Sequence, residues 1–368
     1  MLDFRSVLLI ALVLSVSVMI SCSAQEPDAT CVERNGVVYG AQADERGPIG
    51  GGEGYENIVT EGDFTATTLE ELIDALAQAE AGQTVFIPDD TEIDLTTFIY
   101  IDEFVLEIPE GVTLAGERGN NGAAGALLTS DALRTRRMIQ ALGPDVRLTG
   151  LRIRGPNPKR YIDHHRRAFR DGPGSSYYYK FPTQDGIATE FDRLEVDNCE
   201  ISGFGHGGVR LMEGEDHHVH HSYIHHCQYQ GLGYGVVLNR AFSVIEYNLF
   251  DWNRHSIAGT GRTPSGYIAR HNIELGTSLS HCFDMHGGRD REDGTDIAGT
   301  RMEIYNNTFR APQAAIKIRG VPEDICEVHR NWFVTHQTKD AAVGRAAEGT
   351  RVYDNVYGPD AQPLAEEE

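Results

Sequence analysis

A polar position recurs in one register through the C-terminal half of the chain. Each member lies three residues after an apolar residue. All but one also lie two residues before an apolar residue; the exception is Asn272, which has Glu274 at that spacing. Successive members are 23, 26, 24, 35, 24 and 24 residues apart. This period is too short for a propeller blade, and it predicts stacked coils of about 24 residues, each with three short strands. The members are Cys199, Ser222, Asn248, Asn272, Asn307, Asn331 and Asn355.

The asparagines in this column suit a turn between two strands. Their short amide tolerates a left-handed backbone conformation and can hydrogen-bond to the next asparagine along the stack. We therefore predict a structural ladder and assign these residues no catalytic role.

Two segments closer to the N-terminus agree with such a fold. Residues 68–76 are amphipathic with an acidic first turn, and residues 106–116 read Leu-Glu-Ile-Pro-Glu-Gly-Val-Thr-Leu-Ala-Gly. With these motifs, residues 60–358 resemble the right-handed parallel β-helix proteins of the pectate-lyase-like superfamily. The resemblance implies an all-β fold, an N-terminal helix that caps the open end of the solenoid, and carbohydrate chemistry.

The start of the chain predicts export. Arg5 precedes an apolar run over residues 7–20 that has the length of a signal peptide and is too short for a membrane span. The box Met19-Ile20-Ser21-Cys22 favours lipidation of Cys22, whereas Cys22-Ser23-Ala24 offers an ordinary cleavage site instead. We expect a periplasmic, outer-membrane-surface or extracellular protein, with residues 1–22 as signal peptide, 23–60 as a tether, and 61–368 as one domain with insertions near 156–185 and 287–300.

The net charge limits which partners we expect, and the cysteine spacing limits which disulfide bonds we expect. The formal net charge is −23, which makes nucleic acid an unsuitable partner. The six cysteines show no Cys-x-x-Cys motif or even spacing, so no disulfide framework is predicted, and a bond among Cys227, Cys282 and Cys326 stays open. We expect a monomer that acts on an anionic polysaccharide.

The register assigns side chains to the outside of one strand in each coil. If Phe283 and Met285 point inward, their neighbours point outward. One outward column then contains Arg210, Val237, Ala258, Asp284 and Lys317, and the other contains Met212, Asn239, Thr260, His286 and Arg319. Since coils stack about 4.8 Å apart, we predict a compact exposed patch of Asp284, His286, Lys317 and Arg319.

Loops on both sides of this strand carry further polar side chains and would form the rims of a trough for an extended polymer. The residues expected to bind substrate there are His281, Arg254, Arg262, His206, Tyr229 and Arg289.

The resemblance implies a polysaccharide lyase that cleaves a uronate polymer by β-elimination. That reaction needs a base, an acid and positive charge for the enolate-like carboxylate. By analogy, Lys317 or His286 is the base and Arg319 binds the carboxylate. Tyr234 or His255 is the acid, and Asp284 orients His286 or holds a cation.

Other functions stay open from the sequence. A glycoside hydrolase of the same fold would explain Gly205-His206-Gly207, but it needs two carboxyl groups, and the outward columns contain only Asp284. A uronate epimerase, or a glycan-binding surface protein without activity, would use a similar trough. The charged patch would alternatively be a salt ladder between coils.

Two groups of residues offer ligands for a metal ion. Asp290, Asp293 and Asp296 in the second insertion offer oxygen ligands for Ca²⁺, although a solvated acidic loop explains them as well. A run of histidines also has the look of a metal site, but strand alternation sends His218 and His220 outward and His221 into a turn, which argues against a single metal centre. The run comprises His217, His218, His220, His221, His225 and His226.

Overall fold

The chain winds into coils in which each short strand stacks on the equivalent strand of the next coil. The computed structural model describes residues 29–170, 172–344 and 346–364. Strands of neighbouring coils pair in parallel and in register, as in Val219 with Ile245 and Ile224 with Phe250. The protein is a right-handed parallel β-helix, which confirms the predicted fold class.

Three faces make up each coil, here called the first, second and third face in chain order. The strands of the first face are Phe64–Thr65, Thr84–Phe86, Thr113–Ala115, Arg147–Thr149, Glu195–Asp197, Gly266–Arg270, Arg301–Tyr305, Ile325–His329 and Thr350–Val352. Those of the third face are Leu106–Ile108, Arg137–Ala141, Asp185–Thr189, His255–Gly259, Phe283–Met285 and Ile316–Ile318. Two long strands run from the third face into the first, namely Gly207–His220 and Tyr234–Glu246.

The second face forms its own sheet. Its strands are Glu92–Asp94, Leu127–Thr129, Arg152–Arg154, Glu200–Ser202, Tyr223–His225, Leu249–Asp251, Ile273–Glu274, Thr308–Phe309, Trp332–Phe333 and Val356–Tyr357, with Gln362–Pro363 added antiparallel at the end. The strands Cys31–Arg34 and Val37–Gly40 pair in an antiparallel hairpin that forms a separate sheet. The helices are Leu69–Gln78, Thr96–Asp102, Ile162–Phe169, Ser175–Tyr178, Gly288–Arg291 and Lys339–Val343, with a 3₁₀ turn at Asn120–Gly122.

The interior follows the apolar columns of the sequence. Val219 and Ile245 from the first face, and Phe250 and Phe309 from the second, are buried in one continuous core. Each of these side chains can lose contact with water only against the coils above and below, so the coils stabilise one another. Glu274 lies in the same inward column, in register with Phe250 and Phe309.

The asparagine ladder forms, but its backbone differs from the prediction. Each Oδ1 accepts the backbone N–H of the preceding ladder residue, as in Asn248 to Asn272 and Asn272 to Asn307, both at 3.0 Å. The left-handed residue is the one before each ladder position, for example Tyr247 and His271. Asparagine is therefore required for the hydrogen bonds that its buried amide makes and not for positive φ.

Helix Leu69–Gln78 forms where the sequence places it. The Thr68 side chain accepts a hydrogen bond from the Glu71 backbone N–H at 3.2 Å, as expected of an N-cap. Leu69, Leu72 and Leu76 join the core of the coils. Its role as a cap of the solenoid stays a prediction.

Residues 29–60 lie along the solenoid and differ from the expected tether; we call them the strap. The hairpin buries Val32 and Tyr39 against Trp332 and Val356. Further along, the Tyr55 hydroxyl donates to Asp197 at 2.8 Å. The strap passes close to the coils at Gly51, where a Cβ would lie 2.2 Å from the His221 carbonyl oxygen.

The cysteines of the coils are unpaired. Cys199, Cys227, Cys282 and Cys326 are all buried thiols, so no bond links Cys227, Cys282 and Cys326. The signal peptide and Cys22 lie outside the described residues, and lipidation and export stay predictions. Among the helices that the structure describes, none is long and apolar enough to span a membrane.

Candidate active site

The predicted outward columns are present on the third face. Arg210, Val237, Ala258, Asp284 and Lys317 are in-register neighbours on successive coils. Phe283 and Met285 point into the core, as the alternation requires. The register prediction for this strand is therefore confirmed.

Asp284 is not exposed, in contrast to the prediction. Its Oδ1 lies 3.1 Å from Nε2 of His281, its Oδ2 lies 3.1 Å from Nε2 of His286, and Arg319 binds both oxygens at 3.0 and 2.6 Å. Although Asp284 points away from the core, these longer side chains cover it completely. Burial alone would raise its pKa, but hydrogen bonds from His281 and His286 outweigh burial and hold the pKa well below the usual range.

Arg319 is neutralised within the protein. Besides its bidentate contact with Asp284, its Nη1 lies 3.1 Å from Asp290. A guanidinium held by two carboxylates has little charge left for a substrate. The predicted role of Arg319 as the carboxylate-binding residue is therefore not supported by this geometry.

His255 and His281 lie side by side at this cluster, and Nε2 of His255 is buried without a hydrogen-bond partner. Nδ1 of His255 lies 2.5 Å from the His281 carbonyl oxygen and donates to it, so Nε2 carries the lone pair. Burial, followed by the charge of Arg254, lowers the pKa of His255 well below its ordinary value. A neutral His255 has no proton at Nε2 to donate, which argues against the predicted role as acid.

The same two histidines and Asp284 form a potential cation site. Their ligand atoms lie within 4.8 Å of one another. Two imidazoles and one carboxylate suit a transition metal such as Zn²⁺ better than Ca²⁺, which prefers oxygen ligands.

The three carboxylates of the second insertion are held separately. Asp290 pairs with Arg319, Asp293 with Arg291 at 2.7 Å, and Asp296 with Arg289 at 3.2 Å. Among the described residues, no group of converging ligands includes them. Because nearby arginines bind each of them, this geometry does not support one calcium site, which stays a prediction. Arg289 is itself strongly exposed and holds Asp296.

Tyr234 and Arg254 stand beside this cluster. The Tyr234 ring stacks on His255 with centroids 5.8 Å apart, and the Arg254 guanidinium lies 6.0 Å from the centre of the Tyr234 ring. Burial raises the pKa of Tyr234, so its hydroxyl stays protonated at neutral pH.

Arg254 and Arg160 carry charge that no carboxylate balances. Within the described residues neither forms an ion pair. Arg160 instead donates to Gln230 and to the Leu279 carbonyl oxygen, both at 3.1 Å, and Nε of Arg254 is buried without a partner. The charge of Arg254 also lowers the pKa of His281, after the larger effect of burial.

A cavity of about 210 Å³ continues the site along the third face. Its lining includes the predicted residues His206, Arg262, Met212, Asn239 and Thr260. At its end, buried Asp185 binds Nδ1 of His206 and Nη1 of Arg210, both at 2.6 Å.

Sequence reasoning missed Asp185 and Arg160. Asp185 lies two residues before the inward Ile187, so alternation alone would have placed it inward, although it binds Arg210 of the outward column. Arg160 is in an insertion outside the repeat, and no periodic signal marks it.

Tyr229 is not part of the trough. It is fully buried against Tyr178 and Ala168, where the insertion near 156–185 packs on the loop before strand Tyr234–Glu246. Aromatic packing of the insertion removes Tyr229 from substrate, which corrects its predicted role.

Comparisons with known proteins describe the architecture only. No protein-family model and no curated protein matches the sequence. An alginate lyase from Paenibacillus sp. aligns at 12% identity, covering 80% of this chain and 98% of that chain, with a TM-score of 0.42. The Dettilon tailspike protein aligns at 14% identity, covering 83% and 58%, with a TM-score of 0.42. A family 28 exopolygalacturonase from Yersinia enterocolitica aligns at 12% identity, covering 82% and 63%, with a TM-score of 0.39. These low values assign no activity to this chain.

Proposed function

We propose that the protein is a carbohydrate-active enzyme that cleaves a uronate-containing polysaccharide by β-elimination. The observation that carries this proposal is the unbalanced positive charge of Arg254 and Arg160 beside the Asp284 cluster. In a protein with a formal net charge of −23, two guanidinium groups without carboxylate partners are suited to an anionic ligand. We expect the trough beside them, which includes the cavity on the third face, to accommodate an extended chain.

The roles follow from charge and protonation. Arg254 binds the uronate carboxylate and stabilises the enolate-like intermediate when the C5 proton leaves. His286, whose Nε2 faces Asp284, presents Nδ1 as the base. Tyr234 retains its proton and donates it to the departing 4-oxygen.

Lys317 is exposed one coil beyond Asp284, and the described residues offer it no ion-pair partner. Its ammonium group adds positive charge to the same intermediate. It is also the alternative base, and the variants considered in the Discussion separate the two roles.

Hydrolysis fits the site less well. A glycoside hydrolase needs a carboxylic acid with a raised pKa, whereas the pKa of Asp284 is held low. Asp290 is ion-paired to the same Arg319 as Asp284, and Asp185, a buried carboxylate of the third face, lies four coils away through Gly207, Tyr234 and His255. At about 4.8 Å per coil the separation is roughly 19 Å, beyond the roughly 10 Å that hydrolysis allows.

The test is to incubate the purified protein with a panel of uronate polysaccharides and with a neutral glycan as control. Elimination leaves a double bond between C4 and C5, which absorbs ultraviolet light. We expect this absorbance to increase with at least one uronate polymer and not with the neutral glycan. New reducing ends without absorbance would show hydrolysis, and binding without either signal would show a glycan-binding protein; both results would overturn the proposal.

A further inference from the structure

Two histidines on the first face, remote from the trough, meet carboxylates of both neighbouring coils. His218 and His220 point outward on either side of the buried Val219. Nε2 of His220 lies 3.1 Å from Glu195 on the preceding coil, and Nε2 of His218 lies 2.9 Å from Glu246 on the following coil. The two rings are 4.0 Å apart.

His220 also begins a chain of contacts that ends in the strap. Its Nδ1 lies 3.0 Å from Nδ1 of His221, and Nε2 of His221 lies 3.1 Å from Asp44. The chain therefore runs from Glu195 through two imidazoles to Asp44. His220 and His221 are both almost fully buried.

This chain of contacts has fewer hydrogen atoms than it has hydrogen bonds to form. Each of its three contacts requires one hydrogen between two acceptor atoms. Two neutral imidazoles supply two hydrogens, and ionised carboxylates supply none. One contact therefore lacks a hydrogen and brings two lone pairs together unless an additional cation is present. Such an unmatched contact is costly at a buried position.

A second histidine pair in the same protein shows the balanced case. His225 and His226 repeat the arrangement one turn later, with Glu200 in place of Glu195. Here two contacts, Glu200 to His225 at 3.3 Å and His225 to His226 at 2.7 Å, are served by two hydrogens. The deficit in the first pair thus comes from the additional carboxylate, Asp44.

We propose that Glu195, His218 and His220 bind a divalent transition-metal ion of the Zn²⁺ class. Their ligand atoms lie within 4.8 Å of one another, close to the spacing of donors around one such ion at metal–ligand distances of about 2.0–2.2 Å. The ion takes the place of the missing hydrogen at Nε2 of His220. His218 and Glu195 are partly exposed, which allows the ion to enter from solvent.

The ion also links the strap to the coils. With Nε2 of His220 on the metal, Nδ1 of His220 donates to His221, and His221 donates to Asp44. Such outer hydrogen bonds fix the orientation of a metal-binding imidazole. Metal binding should therefore stabilise the packing of residues 29–60.

The test uses the full chain after treatment with EDTA and dialysis, titrated with Zn²⁺ by calorimetry and with Co²⁺ by visible absorbance. We expect Zn²⁺ to bind and to raise Tm. His218→Gln and Glu195→Gln should each weaken binding about tenfold to hundredfold. His225→Gln is the matched control and should leave the affinity unchanged.

His281→Gln distinguishes this site from the possible cation site in the trough. Weaker binding in the His218 variant with unchanged binding in the His281 variant supports the proposal. The reverse pattern, or failure of the unmodified protein to bind Zn²⁺ or Co²⁺, overturns it. Failure to bind together with greater stability at acidic pH would show that the missing cation is a proton.

Discussion

At the scale of single residues, the candidate site depends on which charges are neutralised internally. Arg319 and Arg254 both lie at the Asp284 cluster, but only Arg319 has carboxylate partners. The sequence shows two equivalent arginines, whereas the structure leaves one of them free for an anion. This difference determines which variants should affect binding.

Arg254→Gln should weaken the use of a uronate polymer about tenfold to hundredfold in kcat/KM, since a charge-assisted hydrogen bond contributes about 1.5–3 kcal/mol. Steady-state kinetics measure the effect. Arg351→Gln removes an exposed arginine near the C-terminus and serves as the control. Equal kcat/KM in the two variants would show that Arg254 does not bind the substrate.

His286→Gln should abolish turnover if His286 is the base, because an amide accepts no proton at neutral pH. Lys317→Met should lower kcat but leave measurable elimination. Tm should change little in either variant, because the amide of a glutamine can still donate to Asp284 and Lys317 is exposed. If the Lys317 variant is inactive while the His286 variant keeps its activity, Lys317 is the base and His286 is not.

At the scale of the strand, Glu274 is a carboxyl group in the apolar interior. It occupies the column of Phe250 and Phe309, and its oxygens are buried without a well-formed hydrogen bond, although Ser256 is close enough to ease ionisation slightly. Burial raises the pKa of Glu274 to about 8. The folded protein therefore holds a proton that the unfolded chain releases at lower pH.

Stability should consequently fall as pH rises from the unfolded pKa of about 4.3 to the folded pKa of about 8, and then level off. Glu274→Gln removes this dependence. At pH values near 8 the variant should be more stable than the unmodified protein, by on the order of 4 kcal/mol, and near pH 5 the difference should be small.

Urea unfolding at several pH values measures this difference. Glu92→Gln, an exposed substitution on the same face, should show no such trend. A difference between the Glu274 variant and the unmodified protein that does not change with pH would contradict the assignment of a buried neutral carboxyl group.

At the scale of the whole molecule, the strap stabilises the solenoid from outside. Arg46 lies 2.7 Å from Glu246, which is buried and also binds Arg270 and His218. Arg46 also stands over the Tyr247 ring, 5.1 Å from its centre. Residues 29–60 therefore contribute partners for buried charges of the coils.

Arg46→Met should lower the free energy of unfolding by about 1–3 kcal/mol, because it removes one partner of a buried carboxylate. Arg351→Met, at an exposed ion pair, should cost no more than about 1 kcal/mol. Urea unfolding measures both. If a chain that begins at residue 61 unfolds at the same urea concentration as one that begins at residue 29, the strap has no stabilising role.

The order of residues is sufficient to predict the coils, the inward columns and the outward column that contains Asp284. These features depend on strand alternation and on a period of about 24 residues, and both patterns can be recognised directly in the sequence. The ladder from Asn248 to Asn355 followed from the same register, although the left-handed turn lies one residue earlier than expected.

Which of these side chains contact water or a distant partner depends on packing that the repeat does not describe. Alternation places Asp284 outward, but it does not show that His281, His286 and Arg319 cover it. Nor does any period predict that Asp44 reaches His221, 177 residues away. Such contacts depend on how long side chains, insertions and the strap fold over the coils, and a local pattern carries no information about that packing.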